Sequence, residues 1–212
     1  MQYRYIFFDL DGTLTDPGIG ITNSVMYALK HFGMDEPREK LYRFIGPPLV
    51  DSFMEFYGFS REDALKAVEY YREYFSVTGL FENVVYDGIP KVLDELKAAG
   101  HRLYVATSKP EVFTSRILER FELKQYFEYV AGADLEGIKS SKADVVREAL
   151  CVSKADPSDV LMIGDRKHDI IGARANGIRC GAVLYGYGNR EEFEEAGADY
   201  IIDKVEDILQ FK

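Results

Sequence analysis

The sequence predicts a doubly wound α/β fold with a helical block inserted after its first strand. Three observations carry this. The apolar run Tyr5-Ile6-Phe7-Phe8 ends abruptly in Asp9-Leu10-Asp11-Gly12. Residues 17 to 82 show helical spacing only. From Val84 onward, strand-like runs alternate with helical ones, the grammar of a parallel sheet with short right-handed crossovers.

The elements follow in order. Pro17-Gly18-Ile19-Gly20 reads as a flexible connection. Ile21, Val25, Leu29 and Phe32 then recur at helical spacing, with Gly33 as the stop. After Pro37 come Leu41 to Phe44 and the Ile45-Gly46-Pro47-Pro48 loop. Residues 49–57 predict a second helix. Ser60 caps a third, with Asp63 three positions on as a capping-box variant and Leu65, Val68, Tyr71 and Phe75 as its apolar face.

In the second part, Pro90 and Gly100 bracket a helix with Val92, Leu93 and Leu96 inward. Residues 102–107 predict a strand, 111–121 a helix, 129–131 a strand and 142–150 a helix. Val160-Leu161-Met162-Ile163-Gly164 is continuously apolar, as buried parallel strands are. A helix at 169–176, a strand at 181–184, an acidic helix at 191–195 and a strand at 200–202 complete the chain. The domains expected are a core of residues 1–16 and 83–212 and a helical cap of residues 17–82.

Composition narrows the function. The chain has 212 residues, 47% of them hydrophobic, so a sizeable core is expected. A net charge of −10 argues against a nucleic-acid surface. Cys151 and Cys180 have no paired-ligand spacing and read as buried or half-buried thiols. No run reaches the roughly 18 apolar residues of a membrane span. The expectation is a soluble cytoplasmic protein with no membrane partner, monomeric or homodimeric.

Chemistry gathers at three strand ends: Asp9 with Asp11, Thr107 with Ser108 and Lys109, and Asp165 with Asp169. In open α/β sheets ligands bind beyond the carboxyl ends of the strands. Side chains alternate along a strand, so Asp9 and Asp11 point the same way if the extension persists. Crowded carboxylates repel unless protonated or shared with a cation. Oxygen-only donors at this density suit Mg²⁺. A phosphomonoester needs a nucleophile, neutralised phosphoryl oxygens and a proton for its leaving group. Asp9 can attack phosphorus, and Asp11 can protonate the departing oxygen and later deprotonate water.

These motifs resemble the haloacid dehalogenase (HAD) superfamily phosphatases. Asp9-Leu10-Asp11-Gly12-Thr13-Leu14-Thr15-Asp16 matches the first motif and Val105-Ala106-Thr107-Ser108-Lys109-Pro110 the second. Lys142 is the best match to the third, and Gly164-Asp165-Arg166-Lys167-His168-Asp169 matches the fourth. Thr107-Ser108-Lys109-Pro110 and the cap position resemble the phosphoglycolate phosphatase-like branch. Leu184-Tyr185-Gly186-Tyr187-Gly188 with Ala196-Gly197-Ala198-Asp199 is similar to its 5′-nucleotidase-like members.

The resemblance implies a Rossmann-like core and a Mg²⁺-dependent phosphatase acting on a small phosphorylated metabolite. Asp9 is implied as nucleophile and metal ligand. Asp11 is implied as acid/base, with its carbonyl on the metal. Gly12, Thr107, Ser108 and Lys142 are the implied phosphate binders. Asp165 is the implied third metal ligand, with Asp169 ordering a metal-bound water or Lys142. Lys139 rivals Lys142 for the third motif; Lys142 is preferred because it opens a helix. Position alone nominates Arg43, Gly46 and Lys109 for specificity. His168 reads as a polar contact and the acidic run 191–195 as a solvated face. The competing functions are a phosphomutase of the same fold, a metal-free dehalogenase and a phosphorylation-dependent regulatory module. Asp11 with Asp165 argues against the dehalogenase.

Overall fold

The structure, a computed structural model, describes residues 3–135 and 141–212. It opens on β1 (Tyr5–Phe8), whose four residues are all buried. Aromatic and β-branched side chains suit a strand covered on both faces. The short β2 (Thr15–Asp16) and β3 (Val84–Val85) mark the points where the chain leaves the core and returns to it. The chain divides into two compact units, Met1–Asp16 with Val85–Lys212, and Pro17–Val84.

The inserted unit is built on α1 (Gly18–His31), α2 (Leu49–Tyr57) and α3 (Arg61–Phe75). Helix α1 begins at Gly18, inside the stretch expected to be a flexible connection. The reason is close packing: a Cβ on Gly20 would lie 1.9 Å from the Gly79 carbonyl oxygen. Its small residues admit a neighbouring backbone instead of breaking the helix. Ser60 caps α3 as expected, its Oγ accepting from the Asp63 N–H at 3.1 Å. The buried stripe of α3 is Ala64, Ala67, Val68, Tyr71 and Phe75, while Leu65 faces out at 48% exposure. The 3–4 spacing of the alanines sets that face, and Leu65 lies beside it.

The core carries β4 (Arg102–Pro110), β5 (Phe127–Ala133), β6 (Val160–Gly164), β7 (Arg179–Val183) and β8 (Tyr200–Ile202). The sheet order is β5-β4-β1-β6-β7-β8, with parallel pairings. The order runs outward from β1 in both directions, which is doubly wound topology. Connecting helices are α4 (Ile89–Ala98), α5 (Glu111–Arg120), α6 (Lys142–Ser153), α7 (Lys167–Ala175) and α8 (Arg190–Ala196). Tyr5 and Phe7 share a buried cluster with Val145, Val146 and Ala149 of α6 and Ile170 and Ala173 of α7. Cys180 is buried in that cluster, but Cys151 is exposed, contrary to expectation. Helix α6 turns Val145, Val146 and Ala149 inward and leaves Cys151 on its outer side. No helix among the described residues is long and apolar enough to cross a membrane.

Candidate active site

Register builds the site. Phe8 lies opposite Val105 on one side and Ile163 on the other. Strands β1 and β6 therefore end within a residue of each other while β4 runs on to Pro110, and the Asp9 N–H extends the ladder onto the Ile163 carbonyl at 2.9 Å. Asp9 and Asp165 follow directly after β1 and β6, and Thr107 lies two residues beyond Val105 on β4, so the three gather at the carboxyl ends of these strands. All three are buried.

Lys142 is the hub. It opens α6 just after Ser141, whose Oγ accepts from the Asp144 N–H at 3.2 Å. Its Nζ lies 2.8 Å from Asp9 Oδ1 and 2.8 Å from Asp169 Oδ1, and donates to the Ala106 carbonyl at 3.2 Å. Its rival, Lys139, lies outside the described residues. Asp169 does two things. Its Oδ2 accepts from the Arg166 N–H at 3.0 Å, closing the start of α7, and its Oδ1 holds Lys142.

Asp165 divides its oxygens differently. Oδ2 accepts from the Tyr187 N–H at 2.8 Å. Oδ1 is buried and has no hydrogen-bond partner among the described residues. One carboxylate oxygen from each of Asp9, Asp165 and Asp169 falls within 4.8 Å of the others. Buried polar atoms are ordinarily satisfied, and an orphaned oxygen beside two other carboxylates is a set of donors that could hold a cation. Gly12, at φ +81°, passes so close that a Cβ there would lie 2.0 Å from Asp165 Oδ2. Only glycine allows both that conformation and that approach.

Burial governs the electrostatics. It pushes the Asp165 carboxyl well above the carboxylate range, with Asp169 and Asp9 adding to the rise. Burial also raises Asp169 to about 6, against the pull of Lys142. For Lys142, burial alone would lower the ammonium, but Asp169 and Asp9 outweigh it and hold the charge. Asp11 is raised by burial, partly offset by Lys109, whose Nζ lies 2.6 Å from Asp11 Oδ2. One lysine shared by two of three buried carboxylates leaves the cluster short of positive charge.

The remaining nominated residues are placed as follows. Thr107 is buried, and its Oγ1 accepts from the Lys109 N–H at 3.3 Å. Ser108 is half-buried on β4. Lys109, nominated for specificity, has its ammonium on Asp11. Arg43 and Gly46 belong to the helical unit, where the Arg43 guanidinium lies 4.1 Å over the Phe56 ring. His168 is half-buried, and burial lowers its imidazole.

Sequence reasoning missed two supports. Glu192, read as part of a solvated acidic face, is instead turned inward. Its Oε1 accepts from Arg166 Nε at 3.1 Å and from the Lys167 N–H at 2.7 Å. Tyr187 was noticed only through a resemblance; its N–H on Asp165 is a tertiary contact. Its flanking glycines were the one local signal of a close backbone approach.

Residues 6–183 match the family model of haloacid dehalogenase-like hydrolases. The chain belongs to that family. This hydrolase is 49% identical over 193 residues to a 5′-nucleotidase of Pseudomonas aeruginosa, covering 91% of this chain and 87% of the relative. It is 39% identical to the tyrosine-protein kinase PtkA of Mycobacterium tuberculosis, over 97% of this chain and 72% of that protein. Among solved structures, a predicted phosphatase from Clostridium acetobutylicum superimposes with a TM-score of 0.96 at 48% identity. That match covers 100% of this chain and 98% of the other. The hydrolase is thus an enzyme, with the fold and family that its strand-end motifs implied.

Proposed function

We propose that this hydrolase is a Mg²⁺-dependent phosphatase that cleaves small phosphomonoesters through an aspartyl-phosphate on Asp9. The observation that carries the reading is the convergence of Asp9, Asp165 and Asp169 around Lys142, with Asp165 Oδ1 buried and unpartnered. Asp9 and Asp165 would hold Mg²⁺, with the Asp11 carbonyl as a further donor. Bound there, the ion neutralises phosphoryl oxygen charge and relieves the repulsion between the carboxylates.

The chain's own residues supply the rest. Lys142 pairs with the Asp9 carboxylate and orients it, as a nucleophile requires. A carboxylate oxygen of Asp9 attacks phosphorus, the bond to the leaving oxygen breaks, and Asp11 gives that oxygen its proton. Asp11 then takes a proton from water, which attacks the aspartyl-phosphate and releases inorganic phosphate, restoring Asp9. Burial raises Asp11 so that it can hold a proton, and Lys109 beside it favours giving the proton up. Thr107, Ser108 and Gly12 would bind phosphoryl oxygens with Lys142. Arg43 and Gly46 are proposed for substrate choice.

The substrate class proposed is a nucleoside monophosphate or phosphoglycolate; the 5′-nucleotidase relative supports the former. The setting proposed is the cytoplasm, as a monomer or homodimer. The test is phosphate release from a metabolite panel with and without Mg²⁺, for wild type and Asp9→Asn. Release that needs Mg²⁺ and vanishes in Asp9→Asn supports the reading; a fully active Asp9→Asn protein ends it. The likeness to a protein named a tyrosine-protein kinase favours a second reading, transfer to an acceptor other than water. Substrate consumed without an equal yield of inorganic phosphate would select it, or a mutase.

A further inference from the structure

The segment Tyr185–Gly188, which follows β7, lies against the strand-end cluster. Three hydrogen bonds tie it there. The Tyr187 N–H donates to Asp165 Oδ2 at 2.8 Å. The Tyr187 phenol donates to Asp16 Oδ1, and the Tyr185 phenol donates to the Thr13 carbonyl at 3.0 Å. Both phenols therefore grip the turn that follows β1, one on each side of Leu14. The glycines make the approach possible: a Cβ on Gly186 would lie 2.3 Å from the Gly12 carbonyl oxygen and 2.4 Å from Asp165 Cβ.

We propose that Tyr187 and Tyr185 are positioning residues that fix the Asp165 carboxylate so that only its Oδ1 faces the cation position. The Tyr187 amide occupies Oδ2, leaving Oδ1 buried and unpartnered. A free carboxylate can rotate and offer either oxygen; one pinned at Oδ2 is held in a single orientation before any cation arrives. The amide is pinned in turn by the two phenols, which anchor it to the chain segment bearing Asp11 and Gly12. The ligand just after β6 and the turn after β1 are thus held in mutual register by a third segment that contributes no ligand. The inference rests on the Mg²⁺ reading above.

The test is isothermal titration of Mg²⁺ into the free protein, with melting curves taken without metal and kinetics across Mg²⁺ concentration. The double variant Tyr185→Phe/Tyr187→Phe keeps every ring and the amide but removes both phenolic anchors. Its Mg²⁺ Kd is expected to weaken about 10-fold or more, the scale on which partners of metal ligands act. Its kcat at saturating Mg²⁺ is expected to return toward wild type, a recovery that general loss of structure would not give. Tyr27→Phe, which removes a phenol bonded to Glu73 in the helical unit, is expected to leave Kd unchanged. If the double variant melts early, Tyr187→Phe alone is expected to shift Kd in the same direction. An unchanged Kd in the variants, with wild type binding Mg²⁺, overturns this inference alone. A wild type that takes up no Mg²⁺ overturns the metal reading and this inference with it.

Discussion

The two units bury different kinds of polar group: the helical unit mainly neutral hydroxyls, the core a cluster of charges. In the helical unit three buried Ser and Thr hydroxyls are satisfied within one turn, whereas the Tyr57 hydroxyl and the Asn83 amide have no hydrogen-bond partner among the described residues. Thr22 bonds to the Gly18 carbonyl at 2.6 Å, Ser24 to Gly20 at 2.6 Å and Ser52 to Pro48 at 3.0 Å. Its apolar interior relies on rings, with Phe53 against Phe44 and Phe59. In the core, the buried charges Asp9, Lys142, Asp165 and Asp169 sit together at the strand ends. The ion pairs of Lys142 with Asp9 and Asp169 and the Tyr187 amide on Asp165 span long sequence separations, and Asp165 Oδ1 has no hydrogen-bond partner among the described residues. Local satisfaction costs little and keeps a helix tight. Charge buried at strand ends is expensive and persists where it has a task.

Four experiments would break or sharpen this contrast. The largest expected effect is on chemistry: Asp9→Asn should cut phosphate release by about 10⁴-fold or more, on the scale of nucleophile loss, while far-ultraviolet circular dichroism stays native. Next is Lys142→Met, which strands two carboxylates. Breaking a buried pair costs roughly 3–5 kcal/mol, to be read as a lowered urea midpoint without metal at pH 7.5. Part of that loss should return on acidification from pH 7.5, because burial raises Asp169 and the variant lacks the lysine that pulls it down, so it takes up a proton above the value of about 6 that it has beside Lys142. Its raised folded value favours the folded state as pH falls, and a variant whose deficit grows on acidification would contradict this assignment.

Ser60→Ala is the matching local lesion in the helical unit. It should cost about 1 kcal/mol, the usual worth of a helix cap. If urea titration finds it as costly as Lys142→Met, the contrast between the units fails. The smallest effect concerns His101, buried with Nδ1 2.7 Å from the Tyr3 carbonyl. Burial lowers its imidazole below the usual 6.5. The unfolded chain therefore takes up the proton first, so stability falls as pH drops below 6.5. His101→Gln should flatten that slope between pH 7 and 5 in thermal melts; an unchanged slope would place the titration elsewhere.

The element order was legible because periodicity reports burial directly. Val160 to Gly164 is apolar throughout and is buried throughout. Boundaries were less legible. Gly18 and Gly20 looked like a hinge because glycine serves both flexibility and close approach, and only the Gly79 backbone beside Gly20 tells the two apart. Leu65 looked inward because it sits one position from the true stripe.

The sequence by itself determined the six strands of the main sheet and the carboxylates, hydroxyl and lysine that come together at their ends. These follow from spacing along the chain, and parallel pairing converts spacing into position. Only the tertiary structure decided how those groups divide their contacts. It gave Lys142 to both Asp9 and Asp169, Lys109 to Asp11, Glu192 to the turn at Arg166, and the Tyr187 amide to one oxygen of Asp165. Each of these contacts links segments far apart in sequence. Such pairings depend on which side chain meets which across packed elements, and no local period encodes that.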